Sequence, residues 1–220
     1  MGIKKHRRTR KHKRLRKTRR QSGGGGQSFH ILIATAGRPL LKGLLDSMKG
    51  QLNAYDAVTI VFDGPTAKEK SGMDSSWING FKAKVNVFEE IPALGQWGHG
   101  IRNKYQSILQ PKTTFVMHAD DDDIYTSGAF DALRLKCIDP DILYVAKMNS
   151  KSHPETLIPR QNGKILMNDI GTPCGITPFD KAGASKWENN YGGDFKYYNG
   201  LQTHVKGVVF LDDVIYTVGK

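Results

Sequence analysis

Four consecutive aspartates, Asp120–Asp123, stand directly behind the apolar run Thr113–His118 (TTFVMH). Like charges at that spacing repel, and here they do so at the edge of a core. A divalent cation would offset the cost, and hard carboxylate oxygens suit Mg²⁺ or Mn²⁺. Mg²⁺ commonly takes one or two protein carboxylates and completes its shell with water and phosphate oxygens. In an extended segment Asp120 and Asp122 share one side, Asp121 and Asp123 the other. One pair is expected to face a cleft, the other loop or solvent. An EF-hand is excluded, because no Gly or Glu follows at the offsets that loop requires. The bland alternative is an acidic loop that favours the start of the next helix through its dipole.

The elements that must position these residues alternate. Phe29–Thr35 (FHILIAT) and Ala57–Asp63 (AVTIVFD) read as buried strands, Val85–Phe88 and Ile142–Ala146 as shorter ones. Pro39 opens a helix with Leu40, Leu41, Leu44, Leu45, Met48 and Leu52 on one face. Gly98–Leu109 is a second helix with Ile101, Tyr105, Ile108 and Leu109 inward. Thr126 or Ser127 caps a third, through Ala129, Phe130 and Leu133. Beyond about residue 150 the pattern is irregular, with Val205–Leu211 and Val214–Val218 as expected strands. Such alternation predicts an α/β fold with a mostly parallel central sheet and helices on both faces. Ligands of these sheets sit beyond the carboxyl ends of the strands, where strand order reverses. Thr35, Arg38, Asp63 and Asp120–Asp123 all follow expected strand ends. That co-location, more than any single motif, points to a site.

Of the chain's 33 Lys and Arg residues, 12 fall in residues 1–20, which hold no acid; the remaining 21 match the 21 Asp and Glu of the other 200 residues. The net charge of +12 thus belongs to a tail and not to the domain. Residues 1–20 are expected to be disordered, 21–28 with Gly23–Gly26 to form a flexible linker, and 29–220 to form one domain. The tail has no aromatic residue for stacking on bases and no wide apolar face. It is suited to salt-sensitive contact with nucleic acid or another anionic surface, or to serve as a nuclear address. Cys137 and Cys174 stand 37 residues apart without a metal-binding spacing, and two reduced thiols are expected. No apolar run approaches the ~20 residues of a transmembrane helix, and no secretory h-region follows the basic start. An intracellular, cytoplasmic setting is expected.

The ordered set has a familiar sequence: Thr35-Ala36-Gly37-Arg38-Pro39 after one strand, Asp63-Gly64 after the next, Gly95-x-x-Gly98-x-x-x-Arg102-Asn103, Asp120–Asp123, and then Gly192-Gly193-Asp194. It resembles an inverting glycosyltransferase of the GT-A fold, similar to glycosyltransferase family two, over about residues 29–217. The compact size resembles small stand-alone transferases of large DNA viruses, which would add the infected host cell as a setting. The resemblance implies a nucleotide-sugar donor, with a UDP-sugar favoured, a glycan or glycoprotein acceptor, and Mn²⁺ or Mg²⁺. It implies that Thr35 and Arg38 lie beside the nucleotide, that Asp63 bonds the base, and that Arg102 and Asn103 line the donor pocket. Asp120 and Asp122 match the DxD pair, with Asp120 toward the ribose and Asp122 on the metal. Asp123 matches the further acid that often follows. His204 is a candidate third metal ligand. Asp194 matches the general base, although Gly193 stands where the family often has Glu; Asp213 is the alternative.

That chemistry suits these residue types. Cleaving a nucleotide sugar leaves charge on a diphosphate, which a metal neutralises. The sugar carbon passes through an oxocarbenium-like state, and a carboxylate on the opposite face takes the acceptor's proton. Trp97 and Trp187 either stack on a sugar or wall the core. Tyr191, Tyr197 and Tyr198 either line an acceptor cleft or form an aromatic loop, and His118 is expected to pack under the site. Two rival readings remain at this point. One is a polyanion-binding protein acting through its tail beside an inactive domain. The other is a sugar nucleotidyltransferase, for which the single Gly and Arg after the first strand are a thin match.

Overall fold

The structure is a computed structural model and describes residues 26–161 and 163–219. The basic segment 1–20 and the linker up to residue 25 lie outside the described residues. Among the described residues eight strands form one sheet: β1 (Phe29–Thr35), β2 (Ala57–Asp63), β3 (Lys84–Glu90), β4 (Phe115–Asp120), β5 (Ile124–Tyr125), β6 (Ile142–Ser150), β7 (Gly175–Pro178) and β8 (Gly207–Val218). Their order across the sheet is β3-β2-β1-β4-β7-β6-β8-β5. Strands β3, β2, β1 and β4 pair in parallel; β7 runs antiparallel to both β4 and β6. Since β8 is parallel to β6 and β5 antiparallel to β8, every strand except β7 and β5 points the same way. The expected direction of the sheet holds, with two short reversals.

Among the described residues five α-helices join the strands: α1 (Leu41–Lys49), α2 (Ala67–Ser71), α3 (His99–Tyr105), α4 (Ala129–Lys136) and α5 (Gly193–Leu201). Period-2 alternation along β1 separates two cores. Ile31 and Ile33 meet Leu41, Leu44, Leu45 and Met48 of α1 and Phe130 and Leu133 of α4. Leu32 and Ala34 meet Ile101 and Tyr105 of α3 on the other face. A third, aromatic cluster of Trp187, Tyr197, Tyr198 and Leu201 packs α5 on β6.

Several boundaries differ from expectation for local reasons. Leu40 precedes α1 and is exposed, and Ile108 lies beyond the shorter α3 and is exposed too. Gly128, in the left-handed region, starts α4, while the Thr126 hydroxyl donates to the Val214 carbonyl at 2.8 Å instead of capping the helix. Strand β8 is continuous across Asp212 and Asp213, whose carboxylates pair with Lys147 and Lys136, so two charges that resemble a turn are positions on a strand. Both cysteines are buried free thiols. Among the described residues no helix is long and apolar enough to cross a membrane.

Candidate active site

The carboxyl ends of five co-directional strands open onto one cleft of about 480 Å³. Ala34 and Thr35 come from β1, Asp63 from β2, Asp120 from β4, Met148 from β6 and Val218 from β8. β1 is where strand order reverses, with β2 on one side and β4 on the other. The cleft therefore lies at the place such sheets reserve for ligands.

The four aspartates occupy four different environments. Asp120 pairs with Arg102, whose guanidinium is buried, donates to the Trp97 carbonyl at 2.9 Å and lies 5.1 Å from the Trp187 ring. Asp121 accepts the Thr35 hydroxyl at 2.5 Å and lies 3.3 Å from Arg38, while Asp122 lies 2.5 Å from the same Arg38 nitrogen. Asp123 accepts the Gly219 amide at 2.8 Å. Asp121 and Asp123 are buried and Asp120 and Asp122 half-buried, and all four line the cleft. Burial raises the Asp121 carboxyl, and burial with the neighbouring acids pushes Asp123 up to about 7.

Asp63 and Arg102 both hold the loop that precedes α3. The Leu94 and Gly95 amides donate to the two Asp63 oxygens at 2.6 and 2.7 Å, and Arg102 clamps the carbonyl of Trp97. Gly98, at φ +82°, lets this loop lie on β1; a Cβ there would meet the Ala34 Cβ at 2.7 Å. Asn103 does not line the cleft. Its amide accepts the Trp187 N–H at 2.8 Å and donates to the Trp187 carbonyl at 2.7 Å.

A second cavity, of about 370 Å³, adjoins the first and shares Trp97, His99 and Asp194 with it. Asp194 lies in the first turn of α5, and burial raises its carboxyl pKa. His99 escaped the sequence analysis. Its Nδ1 donates to the Glu188 carbonyl at 2.6 Å, and burial, then Arg102, hold its pKa below the ordinary histidine value. The missed signal is Gly193: a Cβ there would sit 2.4 Å from His99 Cε1, so the imidazole fills the room a side chain at 193 would need. Of the aromatic candidates, Trp97 and Tyr191 are exposed and line this second cavity. Trp187, Tyr197 and Tyr198 are core, the first two stacked at 4.3 Å. His118 is buried beneath the site against Trp187, as expected. Asp213 and His204 are not brought to either cavity; Asp213 pairs with Lys136 at 2.5 Å, and His204 is exposed in the 3₁₀ turn after α5.

Among the described residues no three His, Cys, Asp or Glu side chains form a ready metal cage. The donor set still fits a hard cation that borrows ligands from a diphosphate: two half-buried carboxylates, Asp120 and Asp122, open to the cleft, with an exposed arginine bridging Asp121 and Asp122.

No protein-family model and no curated protein matches the sequence. Solved structures do match in fold. S. aureus TarS (residues 1–349) superposes with a TM-score of 0.68 at 15% identity, over 87% of this chain and 60% of that one. The mannosyltransferase PcManGT of Pyrobaculum calidifontis, solved with GDP-Man and Mn²⁺, gives 0.63 at 12% identity, over 87% and 56%. The glycosyltransferase GlyE of Streptococcus pneumoniae TIGR4 gives 0.52 at 12%, over 86% and 45%. The fold is thus a glycosyltransferase fold of the GT-A type. The chain spans about half to three-fifths of the length of these neighbours.

Proposed function

We propose that the chain transfers a sugar from a nucleotide-diphosphate donor, a UDP-sugar foremost, to an acceptor hydroxyl by single displacement with inversion. The observation that carries this reading is the junction of two cavities at Asp194, one walled by the acidic run and the other aromatic. In this reading Thr35, Arg38, Asp63 and Asp120 surround the nucleotide. Asp122, with Asp120, would hold Mn²⁺ or Mg²⁺, and the Mn²⁺-bound fold neighbour favours that choice. The metal, when bound, supplies positive charge to the diphosphate. Arg38 is more than half exposed and free to exchange its carboxylate partners for phosphate oxygens. Asp194 takes the proton of the acceptor hydroxyl as its oxygen bonds the anomeric carbon. The bond from that carbon to the diphosphate breaks, and its electron pair leaves with the phosphate oxygen. A carboxylate raised toward neutrality by burial is suited to that proton transfer.

Thermal unfolding of the chain with UDP, GDP, CDP or dTDP, each with and without Mn²⁺, tests the reading. A nucleotide at ~100 times its Kd adds about 2.7 kcal/mol, roughly 5–11 °C for a domain of this size. One nucleotide should give a Mn²⁺-dependent shift that Asp122→Asn abolishes. Asp194→Asn should keep the shift and lose turnover. Silence with all four nucleotides refutes the proposal.

A further inference from the structure

We propose that the second cavity seats a neutral glycan ring of the acceptor, with Trp97 and Tyr191 as its stacking walls. This rests on the sugar-transfer reading and adds to it the class of acceptor. Continuity comes first: Trp97, His99 and Asp194 line both cavities, so a hydroxyl bound in the second lies beside the carboxylate that faces the first.

The walls are built, not incidental. Trp97 is 75% and Tyr191 80% exposed, a large apolar surface for side chains of this kind. Gln96 and Trp97 both hold positive φ, 63° and 53°, a conformation that costs energy for bulky residues. The Arg102 clamp on the Trp97 carbonyl maintains it, and the indole is thereby kept out of the core. The Tyr191 hydroxyl donates to Asn168 Oδ1 at 2.8 Å, and Asn168 too holds a positive φ, of 63°. Asn168 and Asn190, both exposed, add side-chain amides to the lining, each with hydrogen-bonding groups beyond the one it uses on Tyr191 or Glu188.

Charge selects among acceptors. The described residues lining this cavity include no Lys or Arg, and the single charged side chain among them is the carboxylate of Asp194. A phosphate, sulfate or carboxylate on the acceptor would be desolvated without a counter-ion and would face Asp194. A neutral pyranose presents an apolar C–H face to an aromatic ring and hydroxyls to amides, which matches what the cavity supplies.

The test uses the full chain with Mn²⁺ and the nucleotide that shifts its unfolding, applied to an array of neutral oligosaccharides, sialylated and phosphorylated oligosaccharides, and Ser/Thr peptides. Binding is expected on neutral glycans alone. The best of them, titrated calorimetrically, should bind roughly tenfold more weakly to Trp97→Ala and to Tyr191→Ala. Trp97→Phe should recover part of the loss. The nucleotide-dependent thermal shift of Tyr191→Ala should equal that of the parent chain, which shows the loss to be local. Equal or better binding of anionic glycans, capture of peptides instead, no binding to any neutral glycan, or unweakened variants would each overturn the proposal. If no nucleotide shifts the protein while Trp97-dependent binding of neutral glycans persists, the sugar-transfer reading fails and the glycan site stands.

Discussion

Asp120 and Asp122 read as one motif, yet their removal should have very different consequences for the fold. Arg102, the partner of Asp120, has a side chain 1% exposed, while Asp120 itself is 36% exposed. Deleting one partner of a fully buried pair costs about 3–5 kcal/mol, chiefly through the charge left behind, and an exposed pair about 0–1 kcal/mol. Asp120 is about one-third open to water, so we expect Asp120→Ala to cost about 2–3 kcal/mol, between those limits. For a domain of this length that lowers Tm by roughly 4–12 °C. Asp122 pairs with an Arg38 side chain that is 53% exposed and can find water when released. Asp122→Ala also removes a charge from beside Asp121 and Asp123. Its cost should stay within about 1 kcal/mol, roughly 4 °C at most. Urea and thermal unfolding of the two variants and of Asp120→Asn, which keeps an acceptor oxygen for Arg102, provide the measurement. The asparagine should fall between the alanine and the parent chain. Equal losses for Asp120→Ala and Asp122→Ala, or an Asp120→Ala as stable as the parent, would refute the assignment of Arg102 as a buried charge that depends on Asp120.

Two further outcomes are expected. His30 is fully buried, donates from Nδ1 to the Pro111 carbonyl and accepts the Thr59 hydroxyl, and burial lowers its pKa to about 4. Its neutral form therefore contributes stability that is fully present above the unfolded value of 6.5 and is lost as pH falls toward 4, about 3 kcal/mol in all. Urea midpoints at pH 7.5 and 4.5 should converge in His30→Gln more than in the parent chain; identical pH slopes would contradict this. Glycines in different settings should respond with opposite signs. Gly193→Ala places a methyl 2.4 Å from His99 Cε1 and 2.5 Å from the Glu188 carbonyl oxygen, and should cost about 1–3 kcal/mol. Gly43→Ala, within α1 and facing open space, should add about 0.5–1 kcal/mol; calorimetric Tm values check both.

How legible the fold was depended on how each segment is buried. β1 and β2 are buried along nearly their whole lengths, and their bounds follow from the apolar runs alone. The second half hides its order. β7 is four residues ending in proline, and α5 contains Gly193, Asn199, Gly200 and two tyrosines, poor material for a recognisable helix. What holds it is ring packing among Trp187, Tyr197 and Tyr198, which leaves no period in the sequence. Neighbouring letters also mislead about direction. Arg102 and Asn103 are adjacent, but successive helix residues point roughly 100° apart. One turns to Asp120 and the other to the Trp187 backbone. His99 was invisible because a single histidine carries no pattern; only its contact with Gly193 gives it meaning.

The acidic run gains its sense from unequal neutralisation. Arg102 is buried, stacked on Trp187 and tied to a backbone carbonyl, so its charge is a fixed part of the fold. Arg38 is exposed and its guanidinium bridges Asp121 and Asp122, so its charge is exchangeable. Among the described residues Asp123 has no cationic partner and relies on the Gly219 amide, a bond that survives when its burial favours the protonated form. A ligand entering the cleft therefore meets one carboxylate already paired with a buried arginine and two that an exposed guanidinium bridges. On the proposed sugar-transfer reading, a diphosphate and its counter-ion would displace Arg38 from the aspartates without exposing Arg102. It predicts that donor binding perturbs Arg38 and Asp122 while leaving the 94–98 loop, and with it Trp97, in place.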